Sequence, residues 1–564
     1  MMILGKLRIE LSLLVLGIVF QPVAVFAADY YIDQAASNAS DSNAGTVSTP
    51  WKTITKANST LRAGDTVYIK AGTYSTFIEP ANSGTDTSRI AYKNFGSDVV
   101  TISGGTHGIH LNARTYVTVQ GINVKSTTHL LFLENHADHN QIFDCSFEQS
   151  AKDWDTSVIH TSSQYNHLKN LKFSKGGWCN RAAKDDVGSV LDIGDEYSST
   201  DLTRYNLIEN SEFFHGGHHV MGLFGDFNTV RNNYFHNEVW SNGYGNRALY
   251  MNGADAITGR NLVEGNAFGY SALPCDWDTG NGPSGIVSIS TPENIFRYNR
   301  VYYGVAYGLG LAAYTIADGF SEGRSNKIFQ NTFFANGFDL SRTGTEYHQY
   351  NDSVENTALT IRKSYPKNNV IKSNLFFANR TMVTYSEGAD SNANNTQVFA
   401  GNYIGESQGN PLFVNAPVAP NTTAAGYDFL TQTVPDLRLN ATSPAKGLGV
   451  ALTTVASSDS GSGVTILVAD GSYFQDGTRA PAGTVQADWI AIGSSANIVQ
   501  IASISGNTVT LKNSITRAAN NSIWLFKKSD GVQVLYGTQP EPGAYEIVEG
   551  GTAVPAAPTN LKVN

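Results

Sequence analysis

Val230-Arg-Asn-Asn233-Tyr-Phe235, Val263-Glu-Gly-Asn266-Ala-Phe268, Phe296-Arg-Tyr-Asn299-Arg-Val301, Ile328-Phe-Gln-Asn331-Thr-Phe333, Ile371-Lys-Ser-Asn374-Leu-Phe376 and Phe399-Ala-Gly-Asn402-Tyr-Ile404 repeat one pattern: apolar, two spacers, Asn, one spacer, apolar. Variants lie upstream at Ile142 to Phe147, Leu168 to Phe173 and Ile208 to Phe213. The interval drifts between about 22 and 50 residues, and the segments are short and β-type with no helical periodicity. A solenoid of strands whose turns carry loops of unequal length has this signature. Each unit reads as one turn of a parallel β-helix. The Asn residues then stack at the strand spacing of ~4.8 Å and hydrogen-bond along the axis, satisfying backbone groups at a bend. They read as an internal ladder and not as site residues.

A second short strand precedes each unit, and alternation assigns it two inward apolar residues: Ile109/Leu111, Leu131/Leu133, Ile159/Thr161, Leu191/Ile193, Met221/Leu223, Leu249/Met251, Val287/Ile289, Leu309/Leu311 and Leu359/Ile361. The residue between each pair faces out. The outward column is therefore predicted as His110, Phe132, His160, Asp192, Gly222, Tyr250, Ser288, Gly310 and Thr360. The next column reads Asn112, Glu134, Ser162, Gly194, Phe224, Asn252, Ser290, Ala312 and Arg362. On this alignment His160 and Asp192 lie on adjacent turns, within about 5 Å at their Cα atoms. The longest loops, at 175–188, 194–204, 236–246 and 269–283, border the turns that carry the polar column, where they would wall a cleft.

The rest of the chain fits an exported all-β protein. Lys6 and Arg8 precede the apolar stretch Leu11 to Phe20 and the small-x-small site Val25-Phe-Ala27, so residues 1–27 read as a signal peptide with the mature chain starting near Ala28. No later stretch reaches the ~20 apolar residues of a membrane span. Of 564 residues, 41% are hydrophobic and 15% charged, 54 are Gly, and the net charge of −10 comes without any basic run. Disorder, coiled coils and a surface that grips nucleic acid are excluded on these grounds, and a monomer is expected. Three cysteines make no disulfide scaffold and fit no zinc spacing; Cys179 and Cys275 are in wall loops and are candidates to pair, while Cys145, at the inward ladder position, reads as a buried thiol.

Asp29-Tyr-Tyr-Ile-Asp33, Pro50-Trp-Lys-Thr-Ile54 and Ala63-Gly-Asp-Thr-Val-Tyr-Ile-Lys-Ala-Gly-Thr-Tyr74 resemble the opening of secreted right-handed parallel β-helix proteins of the pectate-lyase-like superfamily. Asp436-Leu-Arg-Leu-Asn-Ala-Thr-Ser-Pro444 and Pro542-Gly-Ala-Tyr-Glu546 resemble their end. The resemblance implies an all-β, right-handed, single-stranded parallel β-helix. That superfamily holds lyases, hydrolases, epimerases and members without demonstrated chemistry. The predicted organisation is a signal peptide (1–27), a β-helix (28–451), a small inserted antiparallel β module (452–528), a closing segment (529–548) and a linker or tail (549–564). The module is read from Val464 to Val468, Trp489 to Ile492, Ile498 to Ile501, Thr508 to Leu511 and Ile523 to Phe526, which alternate around Gly-Asn and Asp-Gly turns and read as hairpins. It is expected to be excisable.

A β-eliminating lyase removes the proton beside a uronate carboxylate, so it needs a base and a cation or donor cluster to neutralise that carboxylate. The candidate catalytic residues are His160, Asp192, Arg247 and Tyr250, with Lys184 a further candidate base. His110, Glu134, Asn252, Trp240, Trp277 and Arg362 are candidate substrate-binding residues, the tryptophans as sugar-stacking faces. No cofactor is required by the sequence. Ca²⁺ is the candidate ion, with Asp195, Glu196 and Asp255 as oxygen ligands beside Asp192 and Glu134, although Asn252-Gly-Ala-Asp255 and Pro274-Cys-Asp-Trp-Asp278 depart from the adjacent-aspartate pattern of pectate lyases. His215-Gly-Gly-His218-His219 reads as a hydrogen-bonded turn in preference to a metal cluster. A glycoside hydrolase would need two carboxyl groups at a set separation, for which Glu134 with Asp192, or Asp192 with Asp195, are the candidates. Polysaccharide is the expected partner, cleaved by elimination or hydrolysis, or bound without turnover by a matrix or surface protein.

Overall fold

A computed structural model describes residues 27–148, 156–176, 188–216, 219–236, 247–253, 258–270, 285–304, 306–316, 319–337, 357–362, 366–386, 396–417 and 433–548. Trp178, Cys179, Lys184, Trp240, Asp255, Cys275 and Trp277 lie outside these residues, as does the expected signal segment up to Phe26. The described residues form a right-handed parallel β-helix of three sheets, with 13, 12 and 10 strands. The chain visits the sheets in turn, and each strand pairs in parallel with the strand one coil before and one coil after.

Register is kept in line along each sheet. Ile142, Leu168, Ile208, Val230, Val263, Phe296, Ile328, Ile371 and Phe399 follow one another in the thirteen-stranded sheet. Phe147, Phe173, Phe213, Phe235 and Phe268 do so in the twelve-stranded sheet, their rings stacked at 4.4, 5.3, 5.0 and 4.8 Å. Such columns bury the side chains of every coil in one continuous core. At its N-terminal end the core is closed by a helix, Ile54–Thr60, capped by the Thr53 side chain and burying Ile54 and Ala57. Cys145 is a free, buried thiol, which burial pushes up to about 12.

The expected Asn ladder is present: the backbone N–H of Asn233, Asn266, Asn299, Asn331 and Asn374 each donates to the Oδ1 of the next Asn, at 2.8–2.9 Å, ending on Asn402. A second ladder, Asn140, Asn166, Asn206, Asn228, Asn261, Asn294, Asn326 and Asn369, does the same at the corner between the ten- and thirteen-stranded sheets. Each corner Asn follows a residue in the left-handed region, such as Asn232 (φ 55°) before Asn233 or Phe227 (φ 51°) before Asn228. The left-handed residue turns the chain sharply, and the Asn side chain supplies the partners that the broken strand ladder lacks. At the second-ladder corner the left-handed residues Tyr116, His139, Tyr165, Tyr205 and Phe227 form an external ring stack at 4.7–5.7 Å.

In the ten-stranded sheet the register differs from expectation at one coil. Ile159 pairs with Leu133 and Ile193, and Val158 with Phe132 and Asp192, so the inward pair is Ser157/Ile159 and not Ile159/Thr161. His160 thus follows the strand Ser157–Ile159 and belongs to the column of Glu134 and Gly194, away from Asp192.

The module is a six-stranded antiparallel sheet running from Thr453–Thr454 to Ser522–Lys527. It packs on the outside of the thirteen-stranded sheet through one shared apolar cluster, in which Leu262, Ile295 and Phe329 of the helix meet Ile466, Tyr473, Ile490 and Leu525 of the module. Arg297, fully buried, bridges the two parts, with Nε 2.6 Å from Glu264 Oε2 and its terminal nitrogens 2.7 and 2.8 Å from Asp488. Removing the module would therefore open a core, contrary to the excisable unit expected from its turn chemistry.

Candidate functional site

The outward residues of the ten-stranded sheet make two clusters on successive coils. The first rests on Ser189–Ile193, His219–Leu223 and Arg247–Met251. Leu191, Ile193, Met221, Leu223, Leu249 and Met251 are sealed in the core, which turns Asp192, Gly222 and Tyr250 outward in register. Asp192 accepts hydrogen bonds from Ser189 Oγ (2.5 Å) and the Gly222 backbone N–H (3.2 Å), and its Oδ1 lies 2.7 Å from His219 Nε2. A Cβ on Gly222 would stand 2.3 Å from Asp192 Oδ1 and 2.4 Å from the Phe224 ring, so only glycine lets these groups close over that rung.

The Arg247 guanidinium lies over the Tyr250 ring, 4.4 Å from its centroid. The Tyr250 hydroxyl donates to Glu196 Oε1 at 3.1 Å and accepts from Asn252 Nδ2 at 2.7 Å, and Asn252 Nδ2 also donates to Glu196 at 2.6 Å. The His219 ring packs between Tyr250 (5.6 Å) and Phe224 (5.6 Å). Asp192, His219, Arg247, Tyr250 and Asn252 are all buried. An acid–base pair, a phenol and a guanidinium thus share a poorly hydrated patch, where electrostatic effects are strong.

The second cluster lies on the coils of His107–Asn112 and His129–Glu134. Glu79 Oε1 is 3.0 Å from His110 Nδ1, and Glu134 Oε1 is 2.8 Å from His110 Nε2. Glu134 Oε2 is 3.3 Å from His160 Nε2. Burial pushes the Glu134 carboxyl up, but hydrogen bonds from His110 and His160 hold it below the ordinary carboxylate value. His107 stacks on His110 (4.4 Å) and on His129 (5.0 Å), and Phe132 fills the space between these rings and His160.

Of the residues predicted from sequence, Asp192, Arg247, Tyr250, Asn252 and Glu196 come together, while His160, His110 and Glu134 gather on the neighbouring coils. Arg362 stands apart, three strand spacings beyond Tyr250, over the Tyr307 ring. Asp195 is exposed and accepts from the Tyr197 backbone in a local turn. Among the described residues no group of three or more His, Cys, Asp or Glu is placed to hold a metal ion. The partner that sequence reasoning missed is His219, which parity counted back from Met221 and Leu223 would turn inward. Val220 and Met221 are both sealed in the core, as are Val190/Leu191 and Ala248/Leu249 on the adjacent coils, so alternation breaks between His219 and Met221 and His219 turns outward.

Residues 37–80 match the family described as "Protein of unknown function (DUF1565)". Over 102 residues the chain is 33% identical to the uncharacterized protein YwoF of Bacillus subtilis (strain 168), a match covering 16% of this chain and 22% of that protein. The match thus spans about a fifth of that relative's length. Among solved structures, the chain is similar to pectate lyase Pel9A at 12% identity and TM-score 0.44, covering 77% of this chain and 94% of the other. It is also similar to a rhamnogalacturonan lyase at 14% identity and TM-score 0.40, covering 74% and 97%.

Proposed function

We propose that this protein is an exported polysaccharide lyase that cleaves a uronate-containing chain by β-elimination on the outer face of the ten-stranded sheet. The observation that supports this reading most directly is the Arg247 guanidinium stacked on Tyr250 beside the Asp192–His219 pair. Arg247 is the cation for the uronate carboxylate, which lowers the cost of charge developing at the adjacent carbon. Asp192 accepts from His219 Nε2–H, so a proton taken from that carbon goes to Nδ1 and the imidazolium formed stays paired with the carboxylate. The bond from the next carbon to the glycosidic oxygen then breaks, a carbon–carbon double bond forms, and the Tyr250 hydroxyl protonates the departing oxygen. Glu196 and Asn252 position that hydroxyl. His160, paired with Glu134, is assigned to sugar binding at the neighbouring coils.

The test is incubation of the mature protein with uronate and neutral polysaccharides, following unsaturated-uronate absorbance and reducing ends separately. Elimination raises both; reducing ends alone identify a hydrolase, and neither signal leaves the non-catalytic binding protein. For a lyase, His219→Ala and Tyr250→Phe each lower the rate at least ~100-fold, the scale of losing an acid–base group, with circular dichroism checking that each variant folds. Retained turnover in both variants would remove the assignment.

A further inference from the structure

The geometry points to a separate subsite at the N-terminal end of this face, built for a sugar ring that carries no carboxylate. We infer it from Phe132, which stands in the outward column between the sealed Leu131 and Leu133 and remains partly open to water. Imidazole rings flank it, His129 at 4.3 Å and His107 at 5.6 Å. The rim of this apolar patch carries two carboxylates: Glu79 and Glu134 hold opposite nitrogens of His110, and their side chains are 44% and 22% exposed. A pyranose has an apolar C–H face and a rim of hydroxyl donors, which this arrangement matches with an aromatic floor and fixed charged acceptors.

Among the described residues these two carboxylates pair with imidazoles and with no Lys or Arg, so no permanent cation offsets them and they disfavour a uronate, the sugar that Arg247 would attract. Phe132 and Tyr250 are four strand spacings apart, about 19 Å, so the two ends contact different sugars of one chain. The inference shares with the proposed function only that this face meets polysaccharide; it does not depend on elimination at Tyr250.

The experiment is titration calorimetry of the mature protein with neutral hexasaccharides of β-linked glucose, mannose, xylose and galactose, and with hexagalacturonate. At least one neutral hexasaccharide is expected to bind ~10-fold or more tightly than a Phe132→Ala variant allows, and Glu134→Gln is expected to weaken it by a similar factor. Elimination at Tyr250 is read separately by unsaturated-uronate absorbance, so failure of that reading is distinguishable from failure of this one. Both Phe132 and Glu134 are partly exposed, and thermal unfolding checks that the variants fold. The inference is overturned if no neutral hexasaccharide binds, if binding survives both substitutions, or if hexagalacturonate is the ligand that loses affinity in Phe132→Ala.

Discussion

On the thirteen-stranded face Arg297 lies against Glu264 and Asp488 with all three side chains sealed from water, whereas on the ten-stranded face Glu79 and Glu134 flank His110 with both carboxylates partly exposed. Both faces run along the same solenoid and carry outward charged groups. The first has been covered by a module that brings its own carboxylate and an apolar cluster, so the Arg297 guanidinium is paired in a dry interface. On the second, the Asp192–His219 and Arg247–Tyr250 pairs lie beside Glu196 and Asn252 in a patch of mixed donors and acceptors. Charge on a solenoid face is thus structural where a partner element completes it, and a candidate for chemistry where the groups instead complete one another around an outward rung.

The largest effect expected from this contrast follows deletion of residues 452–528 with a short linker. It strips the cover from Leu262, Ile295 and Phe329 and leaves Arg297 without Asp488. Loss of soluble, cooperatively unfolding protein is expected, and a deletion variant with unchanged thermal stability would show that the two faces do not differ in this way. Arg297→Ala keeps the module but leaves Glu264 and Asp488 buried without their cation, at an expected cost of about 3–5 kcal/mol by denaturant titration. Asn299→Leu removes the acceptor for the Asn266 N–H and the donors to Val263 O and Asn331 Oδ1, and should cost about 2–3 kcal/mol by the same measurement.

Site substitutions should act first on rate. Gly222→Ala places a methyl group against Asp192 Oδ1 and Phe224, and is expected to lower turnover by about 10-fold or more at a cost in stability of about 1–3 kcal/mol, the scale of overpacking a buried site. An unchanged rate would show that the closure of Asp192 over this rung has no part in the chemistry.

The smallest expected effect is a change of slope with pH. Burial raises the Glu209 carboxyl, but the hydrogen bond from His167 and the Arg231 guanidinium hold it at about 2. A carboxylate depressed in the folded state contributes stability above its unfolded value of about 4.3, and that contribution is lost as pH falls towards 2. Unfolding free energy should therefore drop across this window, and Glu209→Gln should flatten the drop. An unaltered slope would mean that another carboxylate controls the acid limb.

The first Asn ladder was legible because apolar-x-x-Asn-x-apolar recurs in the chain itself. The second was equally visible, since Asn228, Asn261, Asn294, Asn326 and Asn369 each stand five residues before a ladder Asn, but its flanking residues vary from coil to coil and hide the repeat. The candidate site was legible in part. Asp192, Tyr250 and Asn252 follow from alternation, while Arg247 and Glu196 were drawn from the segments beside the column. Phe132 appeared in the column without a role, because only the surrounding imidazoles and carboxylates make it a platform.

The sequence by itself determined the solenoid, the inward residues of nearly every coil and the antiparallel character of the module, because these depend on local periodicity and on turn chemistry. Tertiary structure decided which outward residues meet. A strand has a side-chain period of two, so moving an inward pair by two residues preserves alternation and leaves no local signal. Ile159/Thr161 and Ser157/Ile159 are equally good patterns on paper, and only the stacking of Ile159 between Leu133 and Ile193 selects the second. That shift carries His160 to Glu134. Asp192 meets instead a histidine 27 residues later, turned outward because the two consecutive inward residues Val220 and Met221 break the alternation just after it.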